Sequence, residues 1–311
     1  MSGSNLSRSQ AWVAAARPQT LPAAAAPVIV GAGLAINDGV FALVPAVAAF
    51  VGAALIQIGT NFANDYYDAI QGADTDDREG FTRVTQSGLI EPGRVKAAMY
   101  LTFAAAVVVG WYLVYVGGVP ILVIGLLSVL SGIAYTGGPY PLGYHGLGDL
   151  FVFVFFGVIA VTGTYYVQAA AVLAAPLPTM LPPGTITLEA VIASLPIAAI
   201  STNILVVNNI RDKAEDETTG KRTLAVRFGY GFSRAEYIGL LGVAYLVPVW
   251  LWLATPFSLS VLLPLVTLPI AARVAETVRT ETSGAALNPA LEATGKLLAG
   301  YALLFGVGLA L

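Results

Sequence analysis

The sequence predicts an all-α membrane protein with about nine transmembrane helices. Of its 311 residues, 57% are hydrophobic and only 11% are charged, and the mean hydropathy is +0.78. A soluble domain has about 25% charged residues, and a membrane-spanning helix needs about 20 predominantly apolar ones. Several stretches of this chain are long and apolar enough to span a bilayer.

The composition also excludes several kinds of site. The chain has no cysteine and a single histidine, His145. A disulfide framework, a thiol nucleophile, a cysteine-ligated metal and a multi-histidine metal site are therefore impossible. The net charge is −3, and we expect no nucleic acid among the partners.

Apolar segments separated by polar ones predict the individual spans. They are 20–36, 40–63, 95–117, 119–136, 149–173, 188–208, 234–254, 257–277 and 293–311. Pro22 and Pro27 lie in the first span. Membrane helices tolerate proline better than the helices of soluble proteins do. Gly117 and Gly118 separate the third span from the fourth. We expect one transmembrane domain, 1–311, whose first 17 residues form a short cytosolic arm.

Basic residues are confined to one side of the predicted membrane. With nine spans, the N-terminus shares a side with the loops 64–94, 137–148, 209–233 and 278–292. All 15 Lys and Arg residues fall in these segments or at the adjoining helix ends, and the opposite loops contain none. Because basic residues are retained in the cytoplasm, we expect a multi-pass protein of the cell membrane with these segments inside.

Two acidic motifs close the second and the sixth spans. The first is NDYYDAIQGADTDD, which starts at Asn64, and the second is NNIRDKAED, which starts at Asn208. Asn64 and Asp68 are four residues apart, as are Asn208 and Asp212, so each pair shares one face of a helix. Asp216 continues the second spacing by another four residues. The motifs are four spans apart and emerge on the same side, which indicates a duplicated helical unit.

The acids of these motifs predict a metal site. Carboxylates at the C-terminus of a helix oppose the helix dipole and also repel one another. A divalent cation removes both costs, and Mg²⁺ commonly bridges a few carboxylates to the phosphates of a substrate. A single acidic loop is usually a solvated surface, but two matched motifs on one side favour Mg²⁺ held against a diphosphate.

Basic residues follow each motif and fit an anionic ligand. Arg78 and Arg83 follow the first motif, and Lys221 and Arg222 follow the second. Acids interleaved with Arg and Lys can bind a metal together with phosphate, whereas acids alone would bind only the metal. Retention of basic residues in the cytoplasm is the alternative explanation for each of them.

A third loop, YTGGPYPLGYHGLGD, reaches the same side of the membrane. Its glycines and prolines predict a structured loop that is rich in turns. Tyr140, Tyr144 and His145 could stack on an aromatic substrate or hydrogen-bond to it. The alternative is an aromatic belt at the membrane interface. We expect His145 to be a loop residue rather than a metal ligand.

The pairing of NxxNDYYD with NNIRDKAED, on spans two and six of nine, resembles the UbiA superfamily of intramembrane prenyltransferases. The loop YTGGPYPLGYHGLGD and the segment TRVTQSG are most similar to its menaquinone branch, and the resemblance covers nearly the whole chain. It implies nine helices around a central cavity, in which Mg²⁺ and the motifs bind the diphosphate of a polyprenyl donor. The implied acceptor is 1,4-dihydroxy-2-naphthoate, which loses CO2 as it is prenylated and gives demethylmenaquinone.

The resemblance also implies roles for residues of this sequence. The residues expected to be catalytic are Asn64, Asp68 and Asp212. The expected metal ligands are Asn64, Asp65, Asp68, Asn208, Asp212 and Asp216, although Asp65 lies off the Asn64–Asp68 face. Beside these, the chemistry of the residues themselves gives the expected diphosphate ligands Arg78, Arg83, Lys221 and Arg222 and the expected acceptor ligands Tyr140, Tyr144 and His145. The chain departs from many superfamily members in having Gly72 where a further acid occurs, and Asp74 could substitute for that acid.

The implied chemistry is the loss of diphosphate from an allylic carbon, followed by attack of the electron-rich ring. Mg²⁺ stabilises the leaving group, Arg and Lys supplement it, and a lipid-embedded cavity keeps water from the allylic cation. The base acting on the acceptor stays open between His145, Tyr140 and the loop acids. Other possible acceptors are 4-hydroxybenzoate, homogentisate and a glycerol phosphate lipid.

Two other classes of protein, a cation-coupled transporter and a purely structural membrane protein, are alternatives to an enzyme. A cation-coupled transporter is expected to place its acids near the middle of the bilayer on broken helices. The acids of this chain cluster at one membrane face beside basic residues, which favours the enzyme. A purely structural membrane protein would not need two matched motifs.

Overall fold

The computed structural model describes residues 7–71, 84–135 and 140–311, and the regular elements in these residues are all helical. Seven helices are long and apolar enough to cross a membrane. The number is eight when the bent pair Arg8–Thr20 and Pro22–Asn37 counts as one span. The prediction of an all-α membrane protein is therefore confirmed.

The α-helices follow one another along the chain with short connections. They are α1 (Arg8–Ala16), α2 (Pro22–Asn37), α3 (Leu43–Gln71), α4 (Pro92–Ala134), α5 (Gly148–Phe151), α6 (Ala160–Leu173), α7 (Leu188–Thr218), α8 (Leu224–Ala254), α9 (Leu268–Thr280) and α10 (Gly284–Ala310). Eight π-helical residues, Val152–Ile159, join α5 to α6 in one span. A 3₁₀ segment, Leu259–Thr267, leads into α9.

Helix α4 is a hairpin of two helical halves. A straight helix of its 43 residues would be about 64 Å long, roughly twice the apolar thickness of a bilayer. The chain turns at Gly118, where φ is 64° and ψ is −150°. A Cβ on Gly132 would lie 3.6 Å from the ring of Phe103, so the two halves contact each other side by side. Counted separately, the halves raise the number of spans in the described chain to the nine that the sequence predicts.

Several helices extend further than the apolar pattern indicates. Helix α3 continues to Gln71 instead of 63, α7 continues to Thr218 instead of 208, and α10 begins at Gly284 instead of 293. Apolar residues mark only the part of a helix that lies in lipid, whereas the backbone hydrogen bonds continue into the polar region. Both acidic motifs therefore begin on helices, and not in the loops 64–94 and 209–233.

The predicted N-terminal arm contains a packed helix. Ser7 caps α1 by accepting a hydrogen bond from the Gln10 backbone N–H, and the Gln10 side chain accepts one from the Ser7 N–H. Trp12 packs edge-on against Phe62 of α3, with 5.9 Å between the ring centroids. The arm is thus docked on the helix that carries the first motif.

Helix α7 lies at the centre of the packing. In its most apolar stretch, 72% of the residues are buried, against 17% in α4. The π-helical segment approaches α7 so closely that a Cβ on Gly157 would collide with Ala198. Small residues at such crossings let the backbones of membrane helices pack closely. The second motif is therefore carried by the most enclosed helix, whereas α4 faces outward.

We predict that Gly118→Ala destabilises the protein. Its φ and ψ lie in a region that is nearly restricted to glycine, which costs other residues about 1–3 kcal/mol. The new Cβ would also collide with the carbonyl oxygen of Pro178, which accepts a hydrogen bond from the Val119 N–H. The midpoint of thermal unfolding in detergent should fall by several degrees.

The matched control for this change is Gly110→Ala in the same helix, where a Cβ would meet no atom within 4 Å. It should leave the unfolding midpoint unchanged or raise it, because alanine favours a helix over glycine. Equal midpoints for the two variants would contradict the assignment of Gly118 as the turn of the hairpin.

Candidate active site

The two acidic motifs meet across one cavity of about 980 Å³. Asn64 and Asp68 line it from α3, and Asn208, Asp212 and Asp216 line it from α7. Two further residues that the sequence analysis expects at the site, Tyr144 of the third loop and the basic residue Lys221, also lie in its wall. The fold thus brings residues from distant parts of the sequence to a common site. We call this space the acidic cavity.

The carboxylates in the acidic cavity are buried and compensated. Asp68, Asp212 and Asp216 are only 3–5% exposed. The Tyr144 hydroxyl donates to Asp68 at 3.0 Å, and the Lys221 ammonium lies 3.7 Å from Asp216. A buried charge is strongly unfavourable unless it is paired. These contacts therefore hold a concentration of negative charge at the ends of two helices.

Arg211 is a residue of this site that the sequence analysis missed. Its buried guanidinium donates to both oxygens of Asp212, at 2.6 and 2.9 Å. It also donates to Asn208 at 2.6 Å and to Asn288 of α10 at 2.8 Å. Arg211 lies inside the motif NNIRD, three residues after Asn208, and this position could have identified it as a site residue. A planar guanidinium in the cavity wall is suited to phosphate oxygens.

Tyr144 connects the two halves of the site. Its hydroxyl contacts the first motif through Asp68, and its ring lies 4.9 Å from the Lys221 ammonium, which pairs with Asp216 of the second motif. Its backbone carbonyl accepts a hydrogen bond from the Arg222 N–H at 2.8 Å. The third loop is therefore attached to α3 and to the segment after α7 at once.

The carboxylate of Asp65 faces away from the acidic cavity. It accepts hydrogen bonds from the backbone N–H groups of Val84 and Thr85, at 3.2 and 3.1 Å, and from the Thr85 hydroxyl at 2.7 Å. Three donors on a buried carboxylate fix the segment that precedes α4. This placement differs from the metal-ligand role expected of Asp65, and it agrees with its position off the Asn64–Asp68 face.

Other expected ligands lie outside the wall of the cavity. The Arg222 side chain is exposed. Tyr140 and His145 stack on each other, with 3.6 Å between ring centroids, and His145 Nδ1 lies 2.9 Å from the Pro141 carbonyl oxygen. The expected ligands Arg78 and Arg83, and the positions Gly72 and Asp74, fall outside the described residues.

A second cavity of about 490 Å³ adjoins the first and lies between α2, α3, α4 and the π-helical segment. Its walls are mostly apolar, and we call it the apolar chamber. The residues that line both spaces form the neck between them: Ala23, Gln57, Thr60, Tyr135, Val152 and Phe156. A ligand with a charged head and a hydrocarbon tail would match this sequence of surfaces.

Tyr135 provides a hydroxyl group at the neck. Its burial and the nearby carboxylates of Asp149, Asp216 and Asp68 raise the pKa of Tyr135 above the ordinary value. The phenol therefore stays protonated and can donate a hydrogen bond to a ligand passing between the two cavities.

The ligands available to a metal in the acidic cavity are oxygen atoms, which Mg²⁺ prefers. Among the described residues, no three acidic or histidine side chains are close enough to enclose an ion. This arrangement suits Mg²⁺, which is usually bound by one or two carboxylates together with substrate phosphates. The residues present therefore fit a metal that binds with a diphosphate.

A sequence model described as the UbiA prenyltransferase family matches residues 24–288. The chain belongs to the UbiA prenyltransferase family. It is therefore a membrane enzyme that transfers prenyl groups, which confirms the expected enzyme class.

Similar UbiA-family proteins include two bacterial enzymes named 1,4-dihydroxy-2-naphthoate octaprenyltransferase. That of Mycobacterium tuberculosis is 39% identical over 94% of each chain, and that of Escherichia coli is 37% identical over 99% of this chain and 98% of its own.

Solved structures of UbiA homologues share the fold. The apo homologue from Aeropyrum pernix has a TM-score of 0.63 at 14% identity and covers 92% of this chain and 96% of its own. The homologue from Archaeoglobus fulgidus, bound to DMAPP and Mg²⁺, has a TM-score of 0.58 at 15% identity and covers 95% of this chain and 99% of its own.

We predict that Tyr144→Phe lowers kcat/KM about tenfold or more. The variant keeps the ring beside Lys221 and loses only the hydroxyl on Asp68, and a hydrogen bond to a charged group is worth about 1.5–3 kcal/mol. The matched control is Tyr140→Phe in the same loop, whose exposed ring lies outside the cavity wall. Steady-state kinetics should separate the two variants, and equal activities would argue against the bridging role of Tyr144.

Proposed function

We propose that this UbiA-family enzyme transfers a polyprenyl group from polyprenyl diphosphate to 1,4-dihydroxy-2-naphthoate, with loss of CO2 and diphosphate, to give demethylmenaquinone in its reduced, quinol form. The observation that carries the reaction class is that the acidic cavity adjoins the apolar chamber and shares the residues of the neck with it. The choice of acceptor is supported by similarity over nearly the whole chain to relatives named for that acceptor.

The donor would occupy both spaces at once. Its diphosphate would lie among Asn64, Asp68, Asp212 and Asp216, where Arg211 and Lys221 are also present. Its hydrocarbon tail would pass the neck into the apolar chamber, because burial of apolar surface favours that placement. The reacting allylic carbon would then be close to the neck.

We propose that Asp68, Asp212 and Asp216, with the amide oxygens of Asn64 and Asn208, supply the protein ligands of Mg²⁺, of which only one or two carboxylates would bind an ion together with diphosphate oxygens. Asp65 is left out of this set because its carboxylate faces Val84 and Thr85. When bound, Mg²⁺ supplies Lewis-acid stabilisation of the leaving diphosphate.

The basic residues of the chain have a second role in this proposal. Arg211 pairs with Asp212 and Lys221 lies near Asp216 in the structure. A diphosphate bound with its metal would replace these pairings, so that Arg211 and Lys221 could turn to the phosphate oxygens. Both cations would then stabilise the charge that develops as the allylic C–O bond breaks. The walls of the neck keep water from the allylic carbon, and the acceptor ring forms the new C–C bond.

We further propose that the acidic cavity opens to the cytoplasm. The helices establish a multi-pass membrane protein, and the distribution of Lys and Arg supports this orientation. Both substrates would then enter from the cytoplasmic side or from the lipid around it.

The proposed function predicts a defined product. Membranes containing the protein should convert polyprenyl diphosphate and 1,4-dihydroxy-2-naphthoate to the quinol of demethylmenaquinone. Air oxidises this quinol to the quinone, and mass spectrometry of the lipid extract detects the product. Excess EDTA should abolish the product, and added Mg²⁺ should restore it. The carboxylates and the diphosphate are both negatively charged, so they need a hard cation between them. A product from 4-hydroxybenzoate or homogentisate alone would reject the acceptor, and full turnover in EDTA would reject the metal.

We predict that Asp68→Asn and Asp212→Asn each lower kcat by about 10²–10³-fold, the usual cost of losing one electrostatic contact in the transition state. The control is Glu217→Gln, which removes the same charge from α7 at an exposed position beside Lys213. It should retain nearly full activity. Similar losses in all three variants would mean that the acids act only as a diffuse field.

A further inference from the structure

Two buried oxygen atoms in the wall of the acidic cavity have hydrogen-bonding capacity that the protein does not use. Gln57 is 8% exposed and Ser201 is 3% exposed. Neither Gln57 Oε1 nor Ser201 Oγ has a hydrogen-bond partner among the residues that the structure describes. Unsatisfied polar atoms are unfavourable in a protein interior and call for an explanation. Gln168 and Asn203 also have such an atom, but they line neither cavity.

Gln57 and Ser201 occupy matching positions on the two motif helices. Gln57 is seven residues before Asn64 on α3, and Ser201 is seven residues before Asn208 on α7. Seven residues are nearly two helical turns, so each lies on the face of its motif and about 10 Å further into the membrane. The duplicated unit therefore places a second pair of polar groups below the diphosphate site.

The orientation of the Gln57 amide is fixed by its neighbours. Its Nε2 donates to Thr20 Oγ1 at 3.1 Å and lies 3.4 Å from Asn61 Oδ1. The Thr20 hydroxyl donates its own hydrogen to the Arg17 carbonyl, so at Gln57 it can only accept. The NH₂ group of Gln57 must therefore face Thr20, which leaves Oε1 as an unused acceptor in the wall of the neck.

The surroundings define the chemistry of the ligand for these atoms. Val152 and Phe156 line the neck, and Ile204 and Leu205 continue the wall of α7 beside Ser201. A prenyl tail has no polar group to offer, and the diphosphate belongs with the acids. A flat, mostly apolar molecule with hydroxyl groups at its edge matches both the apolar wall and the two oxygens.

We infer that Gln57 and Ser201 bind the oxygen substituents of the hydroxylated aromatic acceptor and so position its ring at the neck. This inference rests on the proposed function. A ring hydroxyl donates to Gln57 Oε1, and the Ser201 hydroxyl bonds to a second ring substituent. A hydroxyl that donates a hydrogen bond releases more electron density into its ring, so this contact also raises the nucleophilicity of the attacking carbon.

The test compares Ser201→Ala and Gln57→Leu with two matched controls. Thr202→Val removes the neighbouring hydroxyl of α7, which donates to the Ala198 carbonyl. Gln168→Leu removes a buried amide that also has an unpartnered oxygen but lies away from both cavities. KM for 1,4-dihydroxy-2-naphthoate and KM for polyprenyl diphosphate are measured separately, with the thermal unfolding midpoint of each variant.

We predict that each site variant raises the acceptor KM about tenfold or more, as expected for loss of one buried hydrogen bond, and leaves the donor KM within about twofold. Ser201→Ala should not lower the unfolding midpoint, because the serine hydroxyl bonds to no protein group. The controls should leave both KM values unchanged. An unchanged acceptor KM in Ser201→Ala and Gln57→Leu, or an equal rise in donor KM, would overturn the inference.

A binding measurement separates this inference from the proposed reaction. Calorimetric titration of the purified protein with 1-hydroxy-2-naphthoate, without donor or metal, should give a Kd that rises about tenfold in Ser201→Ala. An equal Kd in wild type and variant would overturn the acceptor subsite even if the enzyme is active. A wild-type enzyme that binds this probe but forms no prenylated product from 1,4-dihydroxy-2-naphthoate would reject the proposed function instead.

Discussion

The structure depends on the compensation of buried negative charge at the ends of two membrane helices. Asp68 on α3 and Asp212 and Asp216 on α7 are almost inaccessible, and each would be strongly unfavourable without a partner. Tyr144, Arg211 and Lys221 supply those partners from a loop, from the motif itself and from the segment after α7. The third loop and the two motif helices are thereby held together by the same electrostatic requirement that prepares the site for a cation and an anion.

The bilayer imposes a second constraint, because polar groups can collect only where other polar groups or a ligand satisfy them. The motifs begin where α3 and α7 leave their apolar stretches, and the cavity between them adjoins the apolar chamber at the neck. Docking of α1 and Thr20 against Gln57 and Asn61 closes one side of this neck. A charged head, a ring and a hydrocarbon tail would thus find three different environments along one path.

Much of this arrangement could be predicted from the sequence. The spacing of Asn64 with Asp68 and of Asn208 with Asp212 identified the faces that line the cavity, and Gly117–Gly118 marked the turn of the α4 hairpin. The ends of the helices were less predictable. Apolar residues mark where a helix leaves the lipid, whereas the helix itself ends at its last backbone hydrogen bond. The partners of Asp65 and Arg211 could not be predicted, because Thr85 and Asn288 reach them only through the tertiary fold. Tyr140 and His145 could stack on a substrate by residue type, yet they stack on each other.

The central claim is that α3 and α7 hold a single metal-diphosphate unit between them. A double-mutant cycle on Asp68 and Asp212 tests it most directly, with kcat/KM measured for wild type, both Asn variants and the double variant. Residues that act as one unit give non-additive losses. We therefore expect kcat/KM of the double variant to lie within about tenfold of kcat/KM of the less active single variant. If the two losses multiplied in full, Asp68 and Asp212 would act independently, which would contradict a shared site.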